Sequence, residues 1–247
     1  MLALLLAIQA GPQAAPPLRL HYRVASTSTI DLGTGAAPLV LKMSAFIAIT
    51  LTDSAAGRFA EVRVYWSAFD GGAMAVSLPP QLLADPKDVT LHGYVRNGRL
   101  TSLVPSTANL QAMQLVPAIQ LVLAATRSAT AGDRWTDSST TDSTSAAATS
   151  RTRSATTWTV NKGTGNETEF DGTITGMMAL DAGSQHLSLP ITGNSRLTTH
   201  GDQQANTASQ TTSGQGELKI GAGSLPMKVR NEVTATLFRT AAWAAIP

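Results

Sequence analysis

"STANLQAMQLVPAIQLVLAAT", residues 106–126, decides how the rest of the chain must be arranged. Leu110, Met113, Pro117, Leu121 and Ala124 or Ala125 recur at helical spacing, and Ser106 is placed to cap the first turn. Leu115, Val116, Ile119, Val122 and Leu123 put apolar surface on the remaining sides, so a helix over 106–126 expects burial almost all round. Pro117 lacks a backbone N–H and is expected to kink the helix or split it. Something must wrap around this segment, and the flanking sequence shows what.

Upstream the period falls from 3.6 to two. Leu18, Leu20, Tyr22 and Val24 alternate with Arg19, His21 and Arg23, which reads as a half-buried strand. Leu41, Met43, Ala45, Ile47, Ile49 and Leu51 stay in phase through 39–53, and Gly57 separates them from "RFAEVRVYWSAF" (58–69), giving a hairpin of long strands. The Gly- and Pro-rich segment 70–88 reads as loop or a short helical turn. In "LHGYVRNGRLTSLV" (91–104), Asn97-Gly98 suits a two-residue turn, because both central positions of that turn need positive φ. That register sets Val95 against Leu100 and Arg96 against Arg99. The two arginines are a candidate anion contact, weighed against two solvated side chains at an exposed tip.

Downstream of the helix, "AGDRWTD" (131–137) offers a Gly132-Asp133 turn and Trp135 as the start of a new strand. Residues 138–151 are so rich in Ser, Thr and Ala that they read as polar strand, loop or both. Beyond 155 the sets Trp158/Val160, Phe170/Ile174/Met178/Leu180, Leu187/Leu189/Ile191, Leu218/Ile220 and Met227/Val229/Val233/Ala235/Leu237 each keep period two. Turn-forming residues fall between them, so about four to six long strands form an antiparallel meander. No helix alternates with strands, which disfavours a parallel α/β sheet. The expected fold is mainly β: one strongly curved antiparallel sheet or half-barrel, residues 16–247, wrapping a single Pro-kinked helix.

Composition agrees and narrows the function classes. The chain has 247 residues, within the range of roughly 200–250 residues that large β domains reach as single units. Charged residues make up 14%, against about 25% in typical globular proteins, so Ser, Thr, Gln and Gly must build the polar surface. Net charge is +2 with no Lys/Arg run, and aromatics are 5%, which leaves nucleic-acid binding without its electrostatic footprint or its stacking platform. The absence of Cys removes disulfides, thiolate metal sites and a cysteine nucleophile. Residues 2–8, "LALLLAI", followed by small residues at Ala10, Ala14 and Ala15, read as a signal peptide over 1–15, although no Lys or Arg precedes the apolar run. This implies export, to the periplasm or beyond. No uninterrupted apolar segment approaches the roughly 20 residues needed to span a bilayer as a helix.

Chemistry-bearing motifs are sparse. There is no G-x-S-x-G or S-x-x-K element. His21, His92, His186 and His200 fall on different predicted strands without metal-ligand spacing, and no metal or other cofactor is implied. Glu167, Glu169 and Asp171 share one strand face, either as a cation-binding row or as the wet side of a sheet, and the second is preferred. Asp133 and Asp137 around Trp135 are read as turn and surface carboxylates rather than an acid/base pair.

The Gly132-Asp133-x-Trp135 element, directly after a helix that follows a hairpin, resembles a group of exported bacterial proteins of unknown function whose organisation is similar to the lipoprotein-carrier half-barrels. The resemblance spans residues 18–240 in order of elements, with its motif-like part in 89–136. It implies a greasy concavity that accepts acyl chains, with Phe46, Trp66, Met113, Ile119 and Trp158 as candidate lining. One helix in place of several, and Ser/Thr-rich late strands, depart from that pattern. The expected function is a non-catalytic envelope protein that binds a lipid, another hydrophobic ligand or an acylated partner between sheet and helix. Competing readings are an interaction module with a filled core that meets another envelope protein, and a hydrolase with a dispersed site.

Overall fold

The computed structural model describes residues 16–238 except 56, 73–84, 86–88, 97–98, 106–109, 126, 145–148, 164 and 202–203. The predicted signal peptide, the Asn97-Gly98 pair, Ser106 and most of 70–88 therefore lie outside the described residues. The described elements are β1 (Leu18–Asp31), β2 (Leu39–Ser54), β3 (Gly57–Asp70), β4 (Thr90–Arg96), β5 (Arg99–Pro105), α1 (Leu110–Ala124), β6 (Arg134–Thr144), β7 (Thr149–Lys162), β8 (Glu167–Ala182), β9 (Gln185–His200), β10 (Ala205–Ile220) and β11 (Gly223–Leu237).

All these strands join one sheet of eleven among the described residues, a curved open sheet with α1 against one face. From one edge to the other the order is β5, β4, β3, β2, β1, β11, β10, β9, β8, β7, β6, and every pairing is antiparallel. Ten alternations of direction leave β5 and β6, the two edges, running the same way. They cannot close into an all-antiparallel barrel. The chain crosses from one edge to the other through α1, which contacts β10, β5, β11, β1 and β9.

Period two explains how this face is built. On β1 Leu20, Tyr22 and Val24 are buried, on β2 Leu41, Met43, Ala45, Ile47, Ile49 and Leu51, on β3 Ala60, Val62 and Val64, and all point toward the helix side. The expected pairs Val95 with Leu100 and Arg96 with Arg99 are present in the β4–β5 register. Residues 138–151 turn out to be strand on both sides of 145–148, as β6 continues to Thr144 and β7 begins at Thr149.

The helix runs unbroken through Pro117. Leu115, Ile119 and Leu123 are fully buried and Val122 nearly so, each contributing about 1.5–3 kcal/mol relative to exposure. Its glutamines are accommodated individually. Gln111 is buried, while the Gln114 side-chain carbonyl lies 3.4 Å from the hydroxyls of both Ser26 and Ser28, which donate to it from β1. Across the core, the hydroxyl of fully buried Tyr22 donates to the Ala205 carbonyl at 3.0 Å.

Candidate ligand-binding cavity

The inner face of β7–β11 is ordered in rows set by strand register. One row, Val160, Phe170, Leu197, Ala208 and Ala235, is apolar and belongs to the core under α1. The next is mixed: Trp158, Gly172, Ser195, Gln210 and Val233. The one after it, Thr156, Ile174, Gly193, Thr212 and Asn231, alternates hydroxyl or amide with apolar or absent side chains. Beyond come Ser154, Gly176, Ile191, Gly214 and Val229. Glycine faces a larger side chain from row to row, so the wall recedes where the helix no longer fills it.

Close approach of the backbone fixes two of these glycines. A Cβ at Gly193 would lie 2.2 Å from the Thr211 carbonyl oxygen, and one at Gly176 would lie 2.3 Å from that of Arg153. No real side chain fits at such distances, so glycine at these positions lets the backbone of the neighbouring strand come close.

The result is a cavity of about 290 Å³ between helix and sheet. Val116, Pro117, Gln120, Leu121 and Ala124, one side of α1, form its roof. Ile174, Met178, Ile191 and Val229 give the opposite wall its apolar part, and Thr156, Gln210, Thr212 and Asn231 give it a polar belt. Leu100 on β5 and Asp137, Ser138 and Ser139 on β6 reach the cavity from the two sheet edges.

The 131–137 stretch restarts the sheet and also supplies this rim. Gly132 takes φ 96°, a value open to glycine, and its N–H donates to the Val160 carbonyl at 2.9 Å. The Asp133 carboxylate accepts bonds from the Thr130 N–H at 2.8 Å and the Thr130 hydroxyl at 3.1 Å, so it holds the turn. Trp135 pairs with Trp158 in register, with ring centroids 6.4 Å apart in a stacked arrangement. Its indole N–H donates to Asp137 Oδ2 at 2.7 Å, and the Arg127 guanidinium lies over its ring at 4.4 Å and 3.9 Å from Asp137 Oδ1.

Of the residues singled out from sequence, Trp158 lines the cavity, while Ile119 is fully enclosed in the core beside it. The Met113 side chain lies outside the described residues. Phe46 and Trp66 stand on the face turned away from α1, packed together with centroids 5.5 Å apart, and Phe46 also meets Phe238 at 5.5 Å. The cause is strand geometry. Phe46 is out of phase with the inward residues of β2, and a bulge at Tyr65 shifts β3 by one residue so that Trp66 pairs with Phe46. Ile174, Ile191 and Val229, by contrast, were visible as period-two residues but not as cavity walls, because the signal lies in the glycines beside them. Arg96 and Arg99 face each other across the β4–β5 ladder, with the Arg99 side chain outside the described residues.

Titratable groups gather elsewhere. All four histidines fall on outward positions of their strands. His186 bonds Asp181 at 2.7 Å and His92 approaches Glu61 at 3.9 Å, both on the exposed surface. Burial, and then the charge of Arg19, lower the pKa of His21. In the acidic row, Asp171 accepts bonds from Asn161 Nδ2 at 2.7 Å and from Arg196 Nε at 2.9 Å, and the bond to Asp171 raises the Arg196 pKa further. Asp171 is thus ion-paired on the outward face, and among the described residues no group of three or more His, Cys, Asp or Glu is arranged to hold a metal.

No family model matches the chain, and no curated protein matches it. Comparison with solved structures gives low-scoring likenesses. One is lipovitellin, in a structure concerned with its lipid–protein interactions: TM-score 0.49, 12% identity, 90% of this chain covered. The chain spans 25% of that lipovitellin chain. Neisserial surface protein A gives a TM-score of 0.26 at 8% identity, covering 91% of this chain and all of the other. An outer membrane channel from Pseudomonas putida F1 gives 0.19 at 10% identity, covering 94% and 100%. The functional reading below rests on the cavity and not on these likenesses.

Proposed function

We propose that this is an exported, non-catalytic binding protein of the cell envelope that holds a hydrophobic ligand, or the acyl chain of a partner, between α1 and the inner face of β6–β11. The observation that carries it is the cavity itself. Its volume of about 290 Å³ is at the lower end of the roughly 300–1,000 Å³ usual for small-molecule sites, enough for one chain or a compact ring system. The helix presents Val116, Pro117 and Leu121 to it, and the sheet presents Ile174, Ile191 and Val229, so apolar surface faces the space from both sides. All four histidines turn outward, and the one acid among the described lining residues, Asp137, is engaged by the Trp135 indole N–H and Arg127, which supports the non-catalytic part of the reading. Export rests on the leader-like residues 1–15.

The test is native mass spectrometry of residues 16–247 purified without detergent from their own host, with saturable binding of the uncharged fluorophore 1-N-phenylnaphthylamine measured in parallel. Retained ligand mass or saturable binding is expected, and Val229→Trp, which places an indole in the cavity, is expected to abolish it while leaving the far-ultraviolet circular dichroism spectrum intact. Ile191→Trp provides a second filling variant should the first misfold. A chain that carries no ligand and shows no saturable fluorescence overturns the proposal.

A further inference from the structure

Resting on that reading, we infer that the ligand is an amphiphile with an uncharged, hydrogen-bonding head, such as a monoacylglycerol, a fatty alcohol or an N-acyl amide, rather than a fatty acid or an anionic phospholipid. The chemistry of the wall selects for it. Among the described lining residues Asp137 is the one charged group, and none is Lys or Arg. Arg127, which is not among the described lining residues, stands over the Trp135 ring at 4.4 Å and 3.9 Å from Asp137 Oδ1. The Asp137 carboxylate is fixed in place by the indole N–H at 2.7 Å and ion-paired with Arg127 at 3.9 Å, so the rim offers no free positive charge from this pair.

An entering carboxylate or phosphate would surrender its hydration beside a carboxylate that is already ion-paired, with no cation among the described lining residues to replace the lost water. A neutral head meets a different situation. Gln120 hangs from the roof, and Gln210, Thr212 and Asn231 line the belt opposite, offering both donors and acceptors. Gln210 is itself oriented, its Nε2 donating to the Ser195 hydroxyl at 3.1 Å. Hydroxyl or amide groups exchange water for these partners at little cost, while the attached chain covers Ile174, Ile191 and Val229. A hydrocarbon with no head at all would leave the belt desolvated and unpaired, which disfavours it equally.

The discriminating experiment measures displacement of 1-N-phenylnaphthylamine from the full chain by monooleoylglycerol and by oleate, both below their aggregation concentrations, at mildly alkaline pH where oleate is ionised. Monooleoylglycerol is expected to bind at least about tenfold more tightly. Asp137→Asn should narrow that ratio by tightening oleate, and Asp137→Lys should reverse it. Equal or tighter binding of oleate by the unaltered protein overturns the inference and leaves the binding function standing. Displacement by neither lipid, with the fluorophore still bound saturably, also overturns it. Loss of all binding, fluorophore included, instead overturns the underlying functional proposal.

Discussion

Single residues decide how closely neighbouring strands approach. In an ordinary strand Gly→Ala stabilises by about 0.4–1 kcal/mol, because the unfolded chain loses freedom. At Gly193 the sign should reverse. An added methyl would stand 2.2 Å from the Thr211 carbonyl oxygen, so the strands must part, at a cost of about 1–3 kcal/mol. Gly223→Ala, whose new Cβ would meet its nearest neighbour at 3.7 Å, is the control expected to be neutral or slightly stabilising. Urea midpoints of the two variants check this, and a stabilised Gly193→Ala would contradict the packing. His21 provides a second residue-scale expectation. Its pKa is lowered from 6.5 by burial and by Arg19, so the unfolded chain takes up the proton first as pH falls. The wild type should therefore lose melting temperature relative to His21→Gln as pH drops through 6.5, and parallel curves would show that no such linkage exists. Legibility from sequence was uneven at this scale. The pairing of Arg96 with Arg99 followed from two turn residues, and Phe46 was already out of phase with its inward neighbours. The outward turn of Trp66 was hidden, because a bulge at Tyr65 leaves no mark in an alternating pattern.

At the scale of elements, the helix was the most readable feature, because an apolar surface on every side admits few environments. The structure gives that surface two kinds of neighbour. Leu115, Ile119 and Leu123 enter the sheet core, while Val116, Pro117, Gln120 and Leu121 roof the cavity. Sequence could not divide them, since the division depends on which strands lie beneath. Pro117 falls on the cavity side, where the missing N–H removes the donor that would have met the carbonyl of Met113. The two sides should differ sharply in tolerance. Ile119→Ala leaves a void among packed neighbours and should cost about 2–5 kcal/mol in urea unfolding. Gln120→Ala opens onto space that is already empty and should fall within about 0.5 kcal/mol of wild type. Similar losses at both positions would mean that the helix is packed equally on all sides and that the cavity is filled.

At the scale of the whole molecule, parity and polarity act together. The described strands form an open sheet whose edges β5 and β6 run the same way, so no antiparallel pairing can join them, and α1 packs as a plug against one face. Openness makes the face away from the helix a surface that must meet some solvent; around Phe46 and Trp66 it carries aromatic side chains, and over β8–β11 it is mostly polar. On β8 that face carries Asp171, Thr173 and Thr175, on β9 Asn194, Arg196 and Thr198, on β10 Ser209, Thr211 and Ser213, and on β11 Arg230, Glu232 and Thr234. Cross-strand hydroxyl bonds such as Thr198 to Thr207 at 2.8 Å, and ion pairs such as Arg196 to Asp171, lie along it. A barrel that spans a membrane needs an outward apolar band about 25 Å tall, and an outward Lys or Arg at the midplane costs it about 2–4 kcal/mol. Here such a substitution adds one more charge to a wet surface. Thr211→Lys, in the middle of β10, is therefore expected to leave the thermal midpoint within the range of ordinary surface changes, about 0.5 kcal/mol, and the protein in solution without detergent. The same chain should not rise with phosphatidylcholine vesicles in a flotation gradient. A requirement for detergent, or a Thr211→Lys loss of about 2 kcal/mol or more, would turn the sheet inside out: the hydroxyl-rich face would then be the buried one, and the space beneath α1 would no longer be the protein's apolar interior.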